Sequence, residues 1–369
     1  MSVWAWSAEM GVAIGVTVFF LALLPLLVWH YRSYGRLSVG RMLGAAAISV
    51  YAAALFAYTQ LPLPPVRSLD WCAAHGVHEL QLRPFASIET MVMRASEIGW
   101  GPMFASTLGL QVIFNVVLFV PFGVIVRGYF KRGFFATVAL GALLSLAIEV
   151  TQATGMWGMY PCAYRLGDVD DLMTNTLGAL LGALIAPLVL FWMPSKEQLV
   201  ATRNEPRPVT GSRRVLALFL NYTLVWTLSG VLSWIIGITW RLIDGKIDLA
   251  AFAWVQFWLH AAVVAVVLLI PAMRGLGSLG MSIVWIAPRW SGPGKKRHSG
   301  AWWQRLARSA VLAVPLIASE LPNWQFGGAV FTLIAIATLI MVPFTKTHRS
   351  LSGVLTGAEL VDTRVGGAS

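Results

Sequence analysis

Asp168, Asp171, Asn175, Gly178 and Gly182 are spaced by three, four, three and four, so on a helix they fall along one stripe. The stripe opens with carboxylates, passes through an amide and ends in a GxxxG pair that lets another helix approach closely. Glu149 and Gln152 share a face near the end of the preceding apolar segment, and Asn115 lies within the segment before that. Arg165 stands just ahead of the stripe. Ionisable groups in such segments are costly to desolvate, so a cluster of them is a functional-site hypothesis by default. A carboxylate buried there is paired with Arg165, hydrogen-bonded to Asn115 and Asn175, or protonated. The plainer reading is that Asp168 and Asp171 cap a helix, the glycines pack, and Pro121-Phe122-Gly123 kinks its helix.

Long apolar segments must position these groups. The chain of 369 residues is 57% hydrophobic and 12% charged, with mean hydropathy +0.72. Spans at roughly 10–31, 41–61, 108–126, 134–152, 170–192, 215–238, 251–271, 309–323 and 326–344 are predicted as membrane-crossing helices. The eighth is short and contains Pro315. The expected fold class is all-α, a polytopic helical integral membrane protein of about nine transmembrane helices. The net charge of +11 brings nucleic acid to mind, but its distribution argues for no nucleic acid. All Lys and Arg except Arg67, Arg83, Arg94, Arg165, Arg241 and Lys246 lie in five segments: around Arg32, around Lys131, at 196–214, at 274–308 and in the tail. Basic loops face the cytoplasm, which puts the N-terminus outside and the C-terminus inside. The first apolar run lacks a basic flank and a small-residue cleavage site, so no cleavable signal peptide is expected. Tryptophans beside arginines at 301–308 read as an interfacial helix on an anionic leaflet, or as ordinary positive-inside charge.

The outer side then receives residues 62–107, with Cys72, and 153–169, with Cys162. Two cysteines on one oxidising face either pair or remain free thiols. Cys72-x-x-His75-x-x-His78-Glu79 has ligand-like spacing but lacks a second ligand cluster, so a solvated loop is the plainer reading and no metal or other cofactor is expected. The polar, proline-containing stretch 194–212 reads as a cytoplasmic linker between a membrane domain at 1–193 and another at 213–361, followed by a tail at 362–369.

The sequence NVVLFVPFG from Asn115 to Gly123, the pair Glu149-x-x-Gln152, and Arg165-x-x-Asp168-x-x-Asp171-x-x-x-Asn175-x-x-Gly178 together resemble the VanZ-like family over roughly residues 40–192, and Arg83-Pro84-Phe85 upstream also fits. The resemblance implies a multi-pass protein of the bacterial cytoplasmic membrane and adds Arg83 to the candidate pocket. Its name member is associated with resistance to glycopeptide antibiotics, notably teicoplanin. Residues 213–361 resemble, more loosely, the RDD family of small bacterial membrane domains. Arg214-x-x-Ala217-x-x-x-Asn221, Ser278-Leu279-Gly280, Arg308 and Leu351 to Gly357 carry that likeness, with Asn221 and Gly353 where aspartates are usual.

Three functions fit these features. The pocket of Arg83, Asn115, Glu149, Gln152, Arg165, Asp168, Asp171 and Asn175 binds a lipid-linked envelope precursor or an amphiphilic glycopeptide antibiotic. Alternatively, Glu149 and Asp171 act as acid and base on a lipid or phosphate ester. In the third, Glu149 titrates in a proton-coupled transporter. The pocket holds no histidine and the chain no HExxH motif, and its polar groups gather in the outer half, which favours the binding module.

Overall fold

The computed structural model describes residues 3–64, 67–77, 80–292, 297–345 and 348–364. His78 and Glu79, named above, lie outside the described residues, as do Lys295, Lys296 and Lys346 of the basic segments. The chain divides into two units. The first holds α1 (Val3–Tyr34) as far as Ala22, together with Ser38–Ser195. Its elements are α2 (Val39–Gln60), α3 (Leu69–His75), α4 (Ala86–Ile98), α5 (Trp100–Ala105), α6 (Thr107–Val124), α7 (Phe134–Ala153), the single turn α8 (Gly155–Gly158) and α9 (Val169–Val189). The second holds Leu23–Leu37 and everything from Lys196 on. It comprises α10 (Lys196–Ala201), α11 (Gly211–Asp244), α12 (Leu249–Val264), α13 (Ile270–Met273), α14 (Leu279–Ile283), α15 (Trp302–Ala318), α16 (Gly327–Phe344) and α17 (Leu351–Thr356). Strands β1 (Ile286–Ser291), β2 (Arg297–His298) and β3 (Glu359–Asp362) form an antiparallel sheet in the order β2-β1-β3.

Eight helices among the described residues are long and apolar enough to cross a bilayer, so the protein is an all-helical, multi-pass membrane protein apart from that small sheet. Eight of the nine expected spans correspond to them. The remaining one, at 309–323, belongs to α15, a helix of 17 residues with Pro315 inside and too short to be counted with the others. The Trp-Arg stretch at 301–308 opens that same helix and is not a separate interfacial one. Trp302 and Trp303 are exposed there, whereas Arg308 is buried, and Arg305 donates to the Met273 carbonyl.

In the first unit the small residues of the stripe decide the packing. A Cβ on Gly178 would meet the Val116 carbonyl, and one on Gly182 the Val120 carbonyl, so α9 and α6 touch backbone to backbone. Lipid supplies no hydrophobic drive between helices, and such close contact is what holds them together. Phe119, Ile148, Ala179 and Leu55 fill the space among α6, α7, α9 and α2. This layer brings the polar ends of three helices to one place.

The second unit has one fully satisfied buried ion network. Asp362 of β3 accepts from Arg213 Nη1 at 2.8 Å and Arg364 Nη2 at 2.6 Å, and both Arg213 and Asp362 are buried. Burial alone would push the Asp362 carboxyl up, but the hydrogen bonds from Arg364 and Arg213 outweigh it and hold the group at about 2. A depressed carboxylate stabilises the fold fully above its ordinary value of 3.8, and that contribution is lost as pH falls through about 2. Asp362→Asn leaves two arginines without their counter-charge and should cost about 3–5 kcal/mol. Thermal midpoints in detergent at neutral pH check this: a drop of less than a degree or two would count against the network.

Candidate functional site

The start of α9 organises one end of the first unit. Asp168 caps that helix, its Oδ1 accepting the Asp170 N–H at 2.8 Å and the Gln81 amide at 3.3 Å. Its own N–H donates to Glu149 Oε2 at 3.0 Å, which ties the last turn of α7 to the first residue of α9. Glu149 is only 8% exposed. One step along the stripe, Asp171 accepts from Gln111 Nε2 at 3.4 Å, and the Asn115 amide also faces its carboxyl. Gln111 and Asn115 are four apart on α6 and so share a face. Asp170 turns the other way and accepts the Phe85 and Ser87 N–H groups at 2.6 and 2.7 Å, which caps α4.

The remaining candidates surround this centre without bonding to its carboxylates. Asn175 donates to Ser145 Oγ at 2.9 Å, and Gln152 donates to the Thr59 carbonyl at 2.7 Å. Arg165 donates to the Leu61 carbonyl, and Tyr164 donates to the Gln60 carbonyl at 3.2 Å. The expected pairing of Glu149 with Arg165, Asn115 and Asn175 is therefore replaced by a backbone N–H. Arg83 points away altogether: its guanidinium pairs with Glu89 at 2.7 Å, both largely in the open. Only its backbone, through Gln81, reaches toward Asp168. Among the described residues no ion pair joins a cation to Glu149, Asp168, Asp170 or Asp171.

Charge is accordingly disfavoured at the rim. Burial pushes the Asp168 carboxyl up, against hydrogen bonds from the Asp170 N–H and the Gln81 amide. Burial also lowers the Arg165 guanidinium from its usual range. Tyr58 lies near both Arg165 and Asp171. The result is a desolvated set of acceptors met by amides and N–H groups, with a single arginine at its edge. It suits a guest that brings hydrogen-bond donors.

A covering strap closes the set from outside. Val77 N–H donates to the Ala163 carbonyl and Gln81 N–H to the Gly167 carbonyl, while Val169 N–H returns to Gln81. Cys72 and Cys162 are joined beside it, with Sγ–Sγ 2.02 Å and Cα–Cα 5.8 Å. His75 stacks on Trp71, its Nδ1 3.2 Å from the Trp71 carbonyl. Gln81, Gln111 and Asp170 are site residues that the motif spacing did not single out. Gln111 carried a readable signal in its four-residue spacing from Asn115, whereas Gln81 sits in a loop without periodicity. A protein cut between the two cysteines should keep its fragments linked on a gel without reductant and release them with it. Separation under both conditions would exclude the bridge.

Residues 48–191 match the family model described as VanZ/LLP1. The chain is 36% identical over 73 residues to Protein VanZ of Enterococcus faecium, a match that takes in 20% of this chain and 41% of that relative. No solved structure matches it. The VanZ/LLP1 match spans the cap of α9, Glu149 and the facing amides alike.

Proposed function

We propose that the VanZ/LLP1 domain binds, in the outer leaflet, the polar head of a lipid-linked envelope precursor or of an amphiphilic glycopeptide antibiotic of the teicoplanin type. The observation that carries this reading is the buried carboxylate of Glu149 and the half-buried one of Asp171, with donors from their own chain but no ion-pairing cation among the described residues. Hydroxyl or amine donors on a guest complete such a site, because an uncompensated buried acceptor costs several kcal/mol. An apolar groove of about 500 Å³ supports the amphiphilic part. It is walled by Tyr51, Leu55, Phe122 and Leu144 and ends at Thr59 and Gln60, beside the Gln152 and Tyr164 contacts. A chain laid in the groove places its head at the polar end. In the double variant Glu149→Gln, Asp171→Asn the carboxamides keep size but lose charge. Expressed at normal levels, it should lose at least a tenfold difference in teicoplanin tolerance that the wild-type chain confers on a susceptible host. Undiminished tolerance would refute the binding site.

The same reading takes the chain as a nine-span protein of the bacterial cytoplasmic membrane, N-terminus outside and C-terminus inside. The orientation finds support in the second unit: α15 begins near Met273 and by Leu316 has reached His260, midway along the α12 span, after which α16 returns to Gly211. The two form a hairpin with both open ends on the side of the basic loops. Residues 213–361 are read as a divergent RDD-like domain. Asn221, Ser278 and Arg308, three of the positions that carry that likeness, line one cleft. Cysteines introduced as Ser33→Cys, Ser195→Cys or Ser299→Cys should resist a membrane-impermeant thiol reagent in intact cells, while Ser87→Cys should react. Labelling of Ser195→Cys from outside would break the topology.

A further inference from the structure

Arg214 and Arg308 are among the most deeply buried charges in the chain, at 1% and 5% exposed. Among the described residues Arg214 has one side-chain hydrogen bond, from Nη2 to Ser350 Oγ at 2.6 Å, Arg308 meets only the Met281 sulfur at 3.7 Å, and the Nε of each has no partner. Among the described residues no carboxylate acts on either group; the charge that acts on Arg214 is Arg308 itself. Guanidinium groups do not shed their proton to escape such a setting. Two like charges are thus held together, out of water, with no counter-ion from the chain, an arrangement that costs several kcal/mol per ion unless something compensates it.

What surrounds them is polar and preformed. Arg308 lines a cleft of about 20 Å³ with Asn221, Ser278, Ser350 and Ser352, enough space for roughly one water-sized group. Asn221 is locked by the Gly280 N–H and Ser278 Oγ, and the hydroxyls of Ser350 and Ser352 lie 2.9 Å apart. Guanidinium forks and hydroxyls are the groups that bind oxyanions. Leu218, Asn221, Leu268 and Leu312 also line a neighbouring apolar groove of about 420 Å³, bordered by Phe219, Tyr222 and Phe331. The two spaces share a wall, so a guest with an anionic head and an apolar chain fits both.

We propose that this cleft binds the phosphate of an anionic phospholipid, with a phosphate oxygen between Arg308, Arg214 and the serines and an acyl chain in the adjoining groove. Both arginines sit within two turns of the start of their helices, and basic residues near the ends of membrane helices meet anionic headgroups. The site lies wholly in the second unit and does not rest on the function proposed above.

The test uses the full chain in neutral detergent, with added dioleoylphosphatidylglycerol, dioleoylglycerol or inorganic phosphate. The phospholipid should raise the thermal midpoint by about 5 °C when well above its dissociation constant, and diacylglycerol should leave it unchanged. Native mass spectrometry of the wild type should show retained phosphatidylglycerol. Arg308→Met, which removes one charge at similar volume, should abolish the shift without lowering the lipid-free midpoint. Should that variant fail to fold, Ser352→Ala, which keeps both charges, should weaken phospholipid retention at least threefold. Equal shifts from the phospholipid and diacylglycerol would overturn the proposal, as would a phospholipid shift that survives in the variant tested. A shift from inorganic phosphate as large as that from the phospholipid would overturn the lipid and leave a free-anion site.

Discussion

Asp168 uses its side chain to cap α9 and its N–H to hold Glu149 of α7, and the polar end of the first unit hangs on that double use. Inside a bilayer a carboxylate has no water to fall back on, and neither do the first N–H groups of a helix. Joining the two removes both liabilities at once and fixes where α7 ends relative to where α9 begins. The glycines further along α9 then bring α6 against it, and that contact carries Gln111 and Asn115 within reach of Asp171. Asp170, one residue off the stripe, points to the loop and caps α4. Packing at Gly178 and Gly182 and polar geometry at Asp168 and Asp171 are therefore one construction, read from its two ends.

The faces of this site were legible in the sequence because helical spacing fixes them. Asp168, Asp171 and Asn175 share one, Glu149 and Gln152 another, and the structure sets those faces toward each other. The bonds were not legible, because spacing says nothing about relative depth or rotamer. Arg165, next to the cluster in sequence, donates to the Leu61 carbonyl instead, while Gln81, a loop residue, reaches Asp168 from 87 residues away. The apolar spans emerged from hydropathy alone, save α15, whose first turns carry Arg305 and Arg308 inward beneath exposed tryptophans. The sheet escaped notice for a related reason. β1 is a short run inside a basic loop, and its partner β3 straddles the expected boundary between the domain at 213–361 and the tail.

The two proposed sites carry charge of opposite sign. The one in the first unit faces acids with neutral donors; the one in the second gathers arginines. The guests proposed for them differ accordingly: hydrogen-bond donors for Glu149 and Asp171, an anion for Arg308. Burial alone would be a poor guide, because Asp362 and Arg213 are buried as well and complete one another. A satisfied network of that kind specifies structure and asks nothing of a ligand.

Arg213 and Arg214 make the distinction concrete. They are consecutive on α11, so their side chains leave the helix about 100° apart. Arg213 swings toward the sheet and finds Asp362 together with the carbonyls of Val284 and Trp285. Arg214 swings toward α15 and finds a serine and a second arginine. In sequence the two look alike, and both are expected of a basic loop at the membrane surface. Their energetic situations are opposite. One arginine is part of a closed set of donors and acceptors, and the other bonds Ser350 at the wall of the cleft that Arg308 lines. A substitution that ignores the difference would read as one conservative change at two neighbouring positions, yet of the two only Arg214 has no counter-charge among the described residues.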